Sequence, residues 1–333
     1  MCVAHYGTKV IAAEASKVSL IMIVGVTGGT GFIGRRLVGR LVSVGHAVRV
    51  LTRRCPCEYS WLNGVEPVVG DLLNGCSVLR RFTADLDVLY HCAGEVSDES
   101  RMYDVHVRGT ANLIQSFKNN VGHWVQLSSV GAYGPPAGAV NASRVVTELH
   151  PISPVGVYET TKTESDHLVL EAAHSSCMTC TILRPSNVFG REMPNNSLRA
   201  LISIVKKGLF FYVGAPGAIA NYVHVDDVVD ALLLCASDEK ARGQVYNLSA
   251  DCQLADLIDG IALALGVKCP RKKLPERVVR AVVGALPTFI SLPLTKSRID
   301  ALVNRTSYPP KKIEEELNFK PSRYVPEAIA ELI

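Results

Sequence analysis

The chain has 333 residues, 48% of them hydrophobic and 20% charged, and carries a formal net charge of +4. That length supports one large core or two joined lobes, and the charge balance excludes a disordered chain and gives nucleic acid no basic, aromatic-interleaved surface to bind. Ten cysteines make no metal-spaced framework: Cys55-Pro56-Cys57 and Cys177-Met178-Thr179-Cys180 are the close pairs, neither has a second ligand pair, and the expectation is no metal and a reducing cytoplasm.

In chain order, residues 1–19 carry His5, Lys9, Glu14 and Lys17 where a secretion signal needs an unbroken apolar segment, so an unstructured extension is expected there. The apolar run Leu20–Val26 reads as a buried strand. It passes through Gly28-Gly29-Thr30-Gly31-Phe32-Ile33-Gly34 into a helix from Phe32 to Val44. Strands follow at Ala47–Leu51, Val65–Val69 and Asp87–His91, with a helix from Cys76 to Phe82 before the last of them. Met102 to Asn119 is a long helix by its apolar spacing, and Trp124–Leu127 is a strand that delivers Ser128-Ser129. A Pro/Gly-rich loop leads to the helix Val157–Ala173, the strand Thr179–Leu183 and a turn at Arg184-Pro185. Repeated βα units of this kind predict an α/β fold with a doubly wound parallel sheet.

Beyond Asn187 the pattern loosens. A helix from Leu198 to Lys207, a helix through Val228 to Cys235 capped by Asp226 or Asp227, and a strand at Val245–Leu248 are expected before a mostly helical remainder. The expected organisation places the sheet mainly in residues 20–185. A smaller C-terminal lobe, mainly residues 186–333, would bind substrate and return to the sheet around 221–248. Ala281 to Thr295 is uncharged but cut by Pro287 and Pro293, too short for a transmembrane helix. A buried cap and a peripheral membrane contact both stay open for it.

The glycine-rich turn names a ligand. Spaced glycines between a buried strand and a helix bring bare backbone N–H groups up to a pyrophosphate, and the helix N-terminus favours its charge. Gly28, Gly31 and Gly34 are the positions that need to be small, with Phe32 and Ile33 on the same loop. At the end of the second strand an acidic residue would accept bonds from an adenosine ribose, but this chain has Thr52-Arg53-Arg54. Arg53 and Arg54 suit a 2′-phosphate, so NADP(H) is favoured over NAD(H). Asp71 could accept a bond from the adenine amino group, and Ala93-Gly94 would wall the cofactor.

Tyr158 and Lys162 lie four residues apart on one helix face. A phenol is a poor base at neutral pH, and a nearby ammonium favours its ionised form while also reaching ribose hydroxyls. Ser129, at the mouth of a strand, could hold a substrate oxygen at the same point. Together Ser129, Tyr158 and Lys162 form a proton-transfer set suited to hydride exchange between a nicotinamide and a carbon bearing oxygen.

These pieces carry a resemblance. Thr27 through Gly34, Gly70-Asp71-Leu72, Ser128-Ser129 before Tyr133-Gly134, Tyr158-x-x-x-Lys162, Leu183 through Gly190 and Tyr222 through Asp227 occur in the order of the extended short-chain dehydrogenases/reductases. The chain resembles the NAD(P)-dependent epimerase/dehydratase branch of that family over roughly residues 20–320. The resemblance implies that Tyr158 is the acid/base, Lys162 its partner and ribose anchor, and Ser129 the substrate-oxygen donor. It puts Pro185 beside the nicotinamide and Asn187 near substrate phosphates in members that use nucleotide sugars, with Leu72 of the Gly70-Asp71-Leu72 motif among the cofactor-binding residues. It also implies a homodimer through the helices at 102–119 and 157–173. One position departs from the family pattern: His106 stands where many relatives have asparagine.

The branch holds several reactions. Dehydratases need an acidic pair beside the catalytic hydroxyl, and Ser129-Val130-Gly131-Ala132 has none. Nucleotide-sugar members commonly carry Arg-Asp before the Tyr-x-His run, where this chain has Ala220-Asn221. The expected activity is therefore an NADP(H)-dependent interconversion of a secondary alcohol and a ketone, with a 4-keto nucleotide sugar the first small-molecule substrate to try. An NAD-dependent nucleotide-sugar 4-epimerase, a hydroxysteroid-like dehydrogenase and a non-catalytic dinucleotide-binding scaffold are the alternatives.

Overall fold

The computed structural model describes residues 21–55, 64–73, 75–117, 120, 122–136, 138, 141–285 and 294–333. The expected extension at 1–19, Cys57 and the segment 286–293 lie outside the described residues. One 7-stranded sheet contains β1 (Ile23–Thr27), β2 (Ala47–Thr52), β3 (Val65–Val69), β4 (Val88–His91), β5 (His123–Leu127), β6 (Thr179–Pro185) and β7 (Val245–Leu248). All its pairings are parallel, in the order β7-β6-β5-β4-β1-β2-β3. Successive strands run outward from β1 on one side and from β4 on the other. The crevice at the carboxyl ends of β1 and β4 is therefore the topological switch point where such sheets take ligands.

Side chains alternate across each strand, so the sheet builds a core on both faces. Val24, Val26, Val48, Val50, Val88 and Tyr90 meet Leu37, Val38 and Leu41 of α1 (Phe32–Ser43) on one face, together with Val228 and Leu232 farther along the chain. On the other, Leu51, Leu89, Trp124 and Cys180 pack under α2 (Cys76–Thr83), α4 and α5 through Leu79, Phe82, Leu113, Phe117 and Val169. Here α3 is Glu99–Tyr103, α4 is Gly109–Phe117 and α5 is Val157–Ser175. A third core joins α6 (Ser197–Lys206) to α8 (Leu254–Leu265), and α7 (Val225–Ser237) lies between them in sequence.

Tertiary contacts revise several local expectations. Arg184-Pro185 is not a turn: β6 continues through both, paired with Asn247 and Leu248 of β7. The helix expected from Met102 runs without interruption from Glu99 to Phe117 but carries a π turn, Asp104–Arg108, where the Thr110 hydroxyl donates to the His106 carbonyl. Neither Asp226 nor Asp227 caps α7; the helix begins earlier, at Val225, and the His224 ring accepts the Asp226 N–H at 3.2 Å. Asp227 instead accepts from the Arg323 guanidinium at 2.7 Å. In the apolar stretch of α9 (Glu276–Ala285), Val279 and Val283 pack on Val213, Ile299 and Val303, while Val278 and Val282 are exposed. No helix of the described residues is long and apolar enough to cross a membrane.

Candidate active site

The end of β1 and the start of α1 form a cradle of main chain. Gly28 has φ +67, and a Cβ there would stand 2.7 Å from the backbone of Cys92 and Ala93 at the end of β4. A Cβ at Gly34 would run into the Gly28 carbonyl, so strand and helix close on each other only without side chains. The Gly31 N–H donates to the Gly28 carbonyl at 2.9 Å, and Gly31 is the N-cap of α1. That cap supplies no side-chain bond and the first turn holds no acidic residue. Free N–H groups and an unopposed helix dipole fit a pyrophosphate. Phe32 packs against the α6–α8 core and Ile33 against the sheet, so the loop offers a ligand its main chain at these positions.

Around this cradle, Ala93 N donates to Thr27 Oγ1 at 3.3 Å. Arg53 and Arg54 are exposed just past β2, beside buried Thr52. One Asp71 oxygen is already used by the Leu73 N–H at 3.0 Å, which leaves the other for a ligand. Leu72 is buried under Gly109 in the core, so its main chain is the part that can reach a nucleotide. Pro185 is buried at the end of β6, and exposed Asn187 donates through Nδ2 to the Asn221 carbonyl at 2.9 Å.

The helix α5 lays its first turns over the end of β5. Lys162 is buried there, and its Nζ donates to the Leu127 carbonyl at 2.6 Å, two residues before Ser129. Ser129 Oγ accepts the Gly131 N–H at 3.0 Å, which caps the short 3-10 turn Val130–Tyr133 and leaves the hydroxyl proton to donate elsewhere. Tyr158 is half-buried. Its pKa is pushed up to about 12, chiefly by burial, then by the Glu159 and Asp166 carboxylates. An ammonium was expected to favour the phenolate, but the surroundings hold the phenol protonated. Lys162 is itself lowered by burial and sustained by Asp166.

Three supports stand outside the proton-transfer set read from the sequence. Asp166, one turn beyond Lys162, is fully buried and accepts from Ser128 Oγ at 2.7 Å and from Arg184 at 3.1 Å. Its spacing of four from Lys162, on the row begun by Tyr158, was a legible signal. Glu159 lies against Gly131, where a Cβ would meet its Cγ at 2.7 Å, and against Gly156, where a Cβ would meet Oε2 at 2.6 Å. A carboxylate absent from the 129–132 segment thus enters beside it from the neighbouring helix. His106, finally, bridges the Glu95 N–H at 2.9 Å and Thr161 Oγ1 at 2.8 Å.

The family's model, described as the NAD dependent epimerase/dehydratase family, matches residues 24–249. The chain belongs to this family. It is 33% identical to "Sterol demethylase protein B" of Methylococcus capsulatus over 77% of this chain and 79% of that protein. It is 28% identical to "4-hydroxy-2-methyl-3-oxo-4-farnesyl-3,4-dihydroquinoline-1-oxide ketoreductase" of Stigmatella aurantiaca, over 77% of each. In fold it is similar to UDP-glucuronic acid 4-epimerase from Bacillus cereus in complex with NAD, with a TM-score of 0.71 at 18% identity, covering 93% of this chain and 96% of that one. As a member of this family the chain is an NAD(P)-dependent enzyme of the dehydrogenase, reductase and epimerase kind. Among the described residues no group of three or more His, Cys, Asp or Glu side chains could hold a metal ion.

Proposed function

We propose that the chain is an NADP(H)-dependent oxidoreductase that interconverts a secondary alcohol and a ketone on a largely apolar body. The reading rests on Ser129, a hydroxyl free to donate just past β5, and on Tyr158, a protonated phenol one helical turn before Lys162, whose buried ammonium binds the end of β5. The bound nicotinamide would supply or accept the hydride. In reduction, Ser129 donates a hydrogen bond to the ketone oxygen and Tyr158 passes it a proton as charge develops there. Lys162, one helical turn on, is the cation that would balance the phenolate left behind, and oxidation reverses the order. The raised phenol pKa suits the acid role at neutral pH; in the oxidative direction the same phenol must ionise, so that rate climbs with pH.

The substrate class rests on separate observations. Ala220 is buried, and Asn221 is committed to Asp251 at 2.7 Å, the Thr306 carbonyl at 2.9 Å and Asn304 at 2.9 Å. Neither therefore offers charge to a diphosphate. Exposed Val96 and Val155 flank the segments that carry Glu95 and Tyr158. The curated relatives above, one named for a sterol and one for a farnesylated ketone, point the same way. The test follows NADPH consumption with a panel of cyclic and acyl ketones and a 4-keto nucleotide sugar. Turnover of an apolar ketone supports the reading. Turnover of the sugar alone, or conversion without net NADPH change, replaces it with a nucleotide-sugar reductase or an epimerase.

A further inference from the structure

We propose that His106 is a positioning residue for Tyr158: its neutral imidazole ties the first turn of α5 to the π turn Asp104–Arg108. The proposal rests on the reading of Tyr158 as proton donor. The turn that carries Tyr158 starts at Gly156, which gives α5 no side-chain cap. A lateral bond takes that place. Thr161 Oγ1 donates to the Val157 carbonyl at 2.7 Å and stands 2.8 Å from His106 Nδ1. Its proton being spent on Val157, Thr161 can only accept from the ring, so Nδ1 carries the hydrogen. His106 Nε2 then has the lone pair that accepts the Glu95 N–H at 2.9 Å. The ring also makes a T-shaped contact with Tyr158, centroids 5.6 Å apart at 83°.

Both ends of this tie are firm. The Glu95 carboxylate collects the N–H groups of Val96, Ser97 and Asp98, which closes the loop whose main chain selects the His106 tautomer. The π turn is locked by Thr110, whose hydroxyl also meets His91 at 2.9 Å and Ser165 at 3.0 Å. The charged and titratable groups acting on His106 are Lys162 and Glu95, with His91 nearby; burial and Lys162 outweigh Glu95 and hold the ring neutral, with its pKa lowered to about 4. One lone pair and one N–H therefore persist through the neutral range.

The two arms can be separated chemically. Asparagine keeps a donor near the Nδ1 position and loses the Glu95 bond; glutamine keeps an acceptor near the Nε2 position and loses Thr161. For the purified full chain with NADPH and its best ketone, His106→Gln should lower kcat by about tenfold to a hundredfold, while the KM for ketone and the Kd for NADPH hold. His106→Asn should stay within about threefold of the parent kcat. Thr161→Val should mimic His106→Gln, and the double variant should lose little more than either alone. Full turnover by His106→Gln, additive losses in the double variant, or equal losses in the Asn and Gln variants that track melting temperature would each overturn the tie. If Tyr158→Phe keeps its turnover, the proton-donor reading falls instead. An inactive Tyr158→Phe beside an active His106→Gln removes the tie alone.

Discussion

Two helices of this protein begin in the same way and end up with opposite uses. Both α1 and α5 have glycine at the N-cap, Gly31 and Gly156, and neither cap supplies a side-chain bond. The first turn of α1 has no acid to oppose its dipole, and close glycine packing keeps side chains out of its approach to β1. The first turn of α5 carries Glu159, seated over Gly131 and Gly156, so its positive end is already answered. An anion is favoured at α1, whereas α5 holds a phenol whose proton is retained. The two helix starts differ by one carboxylate and one lateral histidine.

Breaking the α5 side at its reacting group should have the largest effect. Tyr158→Phe is expected to cut turnover by about 10²–10⁴-fold while NADPH binding, followed by nicotinamide fluorescence, is retained. Next comes acid sensitivity. His106 is lowered to about 4 from the ordinary 6.5, so the unfolded chain binds the extra proton first as pH falls. Stability should therefore be full above about pH 6.5 and decline toward pH 4 by an amount on the order of 3 kcal/mol from this group. Buried His91, lowered in the same sense, adds to it. Denaturant melts across that range check this, and His106→Asn should flatten the slope; an unchanged slope contradicts the assignment.

On the α1 side, Arg53→Ala should weaken NADPH by about tenfold and leave NADH nearly untouched, since only the former carries the 2′-phosphate. Equal losses for both cofactors would assign the phosphate elsewhere. The smallest expected effect sharpens the contrast between the two helix starts. Glu159→Gln removes the second-ranked cause of the raised phenol pKa, so the pH profile for alcohol oxidation should move down by about half a unit to one unit. A profile that does not move would limit Glu159 to answering the helix dipole.

Most of the sheet was legible because its signals are local. Val65–Val69 and Val245–Leu248 were read with their observed bounds, and β1, β2, β4 and β5 within a few residues, since short apolar runs ended by glycine or polar turns have few other uses. The glycine loop and the Tyr158/Lys162 pair were legible for the same reason, being set by spacing along the chain. Two of the misses are long-range. Arg184-Pro185 looks like a turn until Asn247 and Leu248 arrive to pair with it, and Arg184 is drawn inward by Asp166. His224 displaces the two aspartates as the cap of α7 because Arg323, from the far end of the chain, claims Asp227.

By itself the amino-acid order determined a parallel α/β sheet, a pyrophosphate-shaped turn and a phenol one helical turn from an ammonium, since each depends on neighbours within about one element's length. The tertiary structure decided the charge state of those groups. Burial and carboxylates from Glu159 and Asp166 reverse the expected lowering of the Tyr158 phenol, and His106 stays neutral because the fold buries it beside Lys162. Desolvation belongs to no segment; it exists only once distant segments have closed over a side chain.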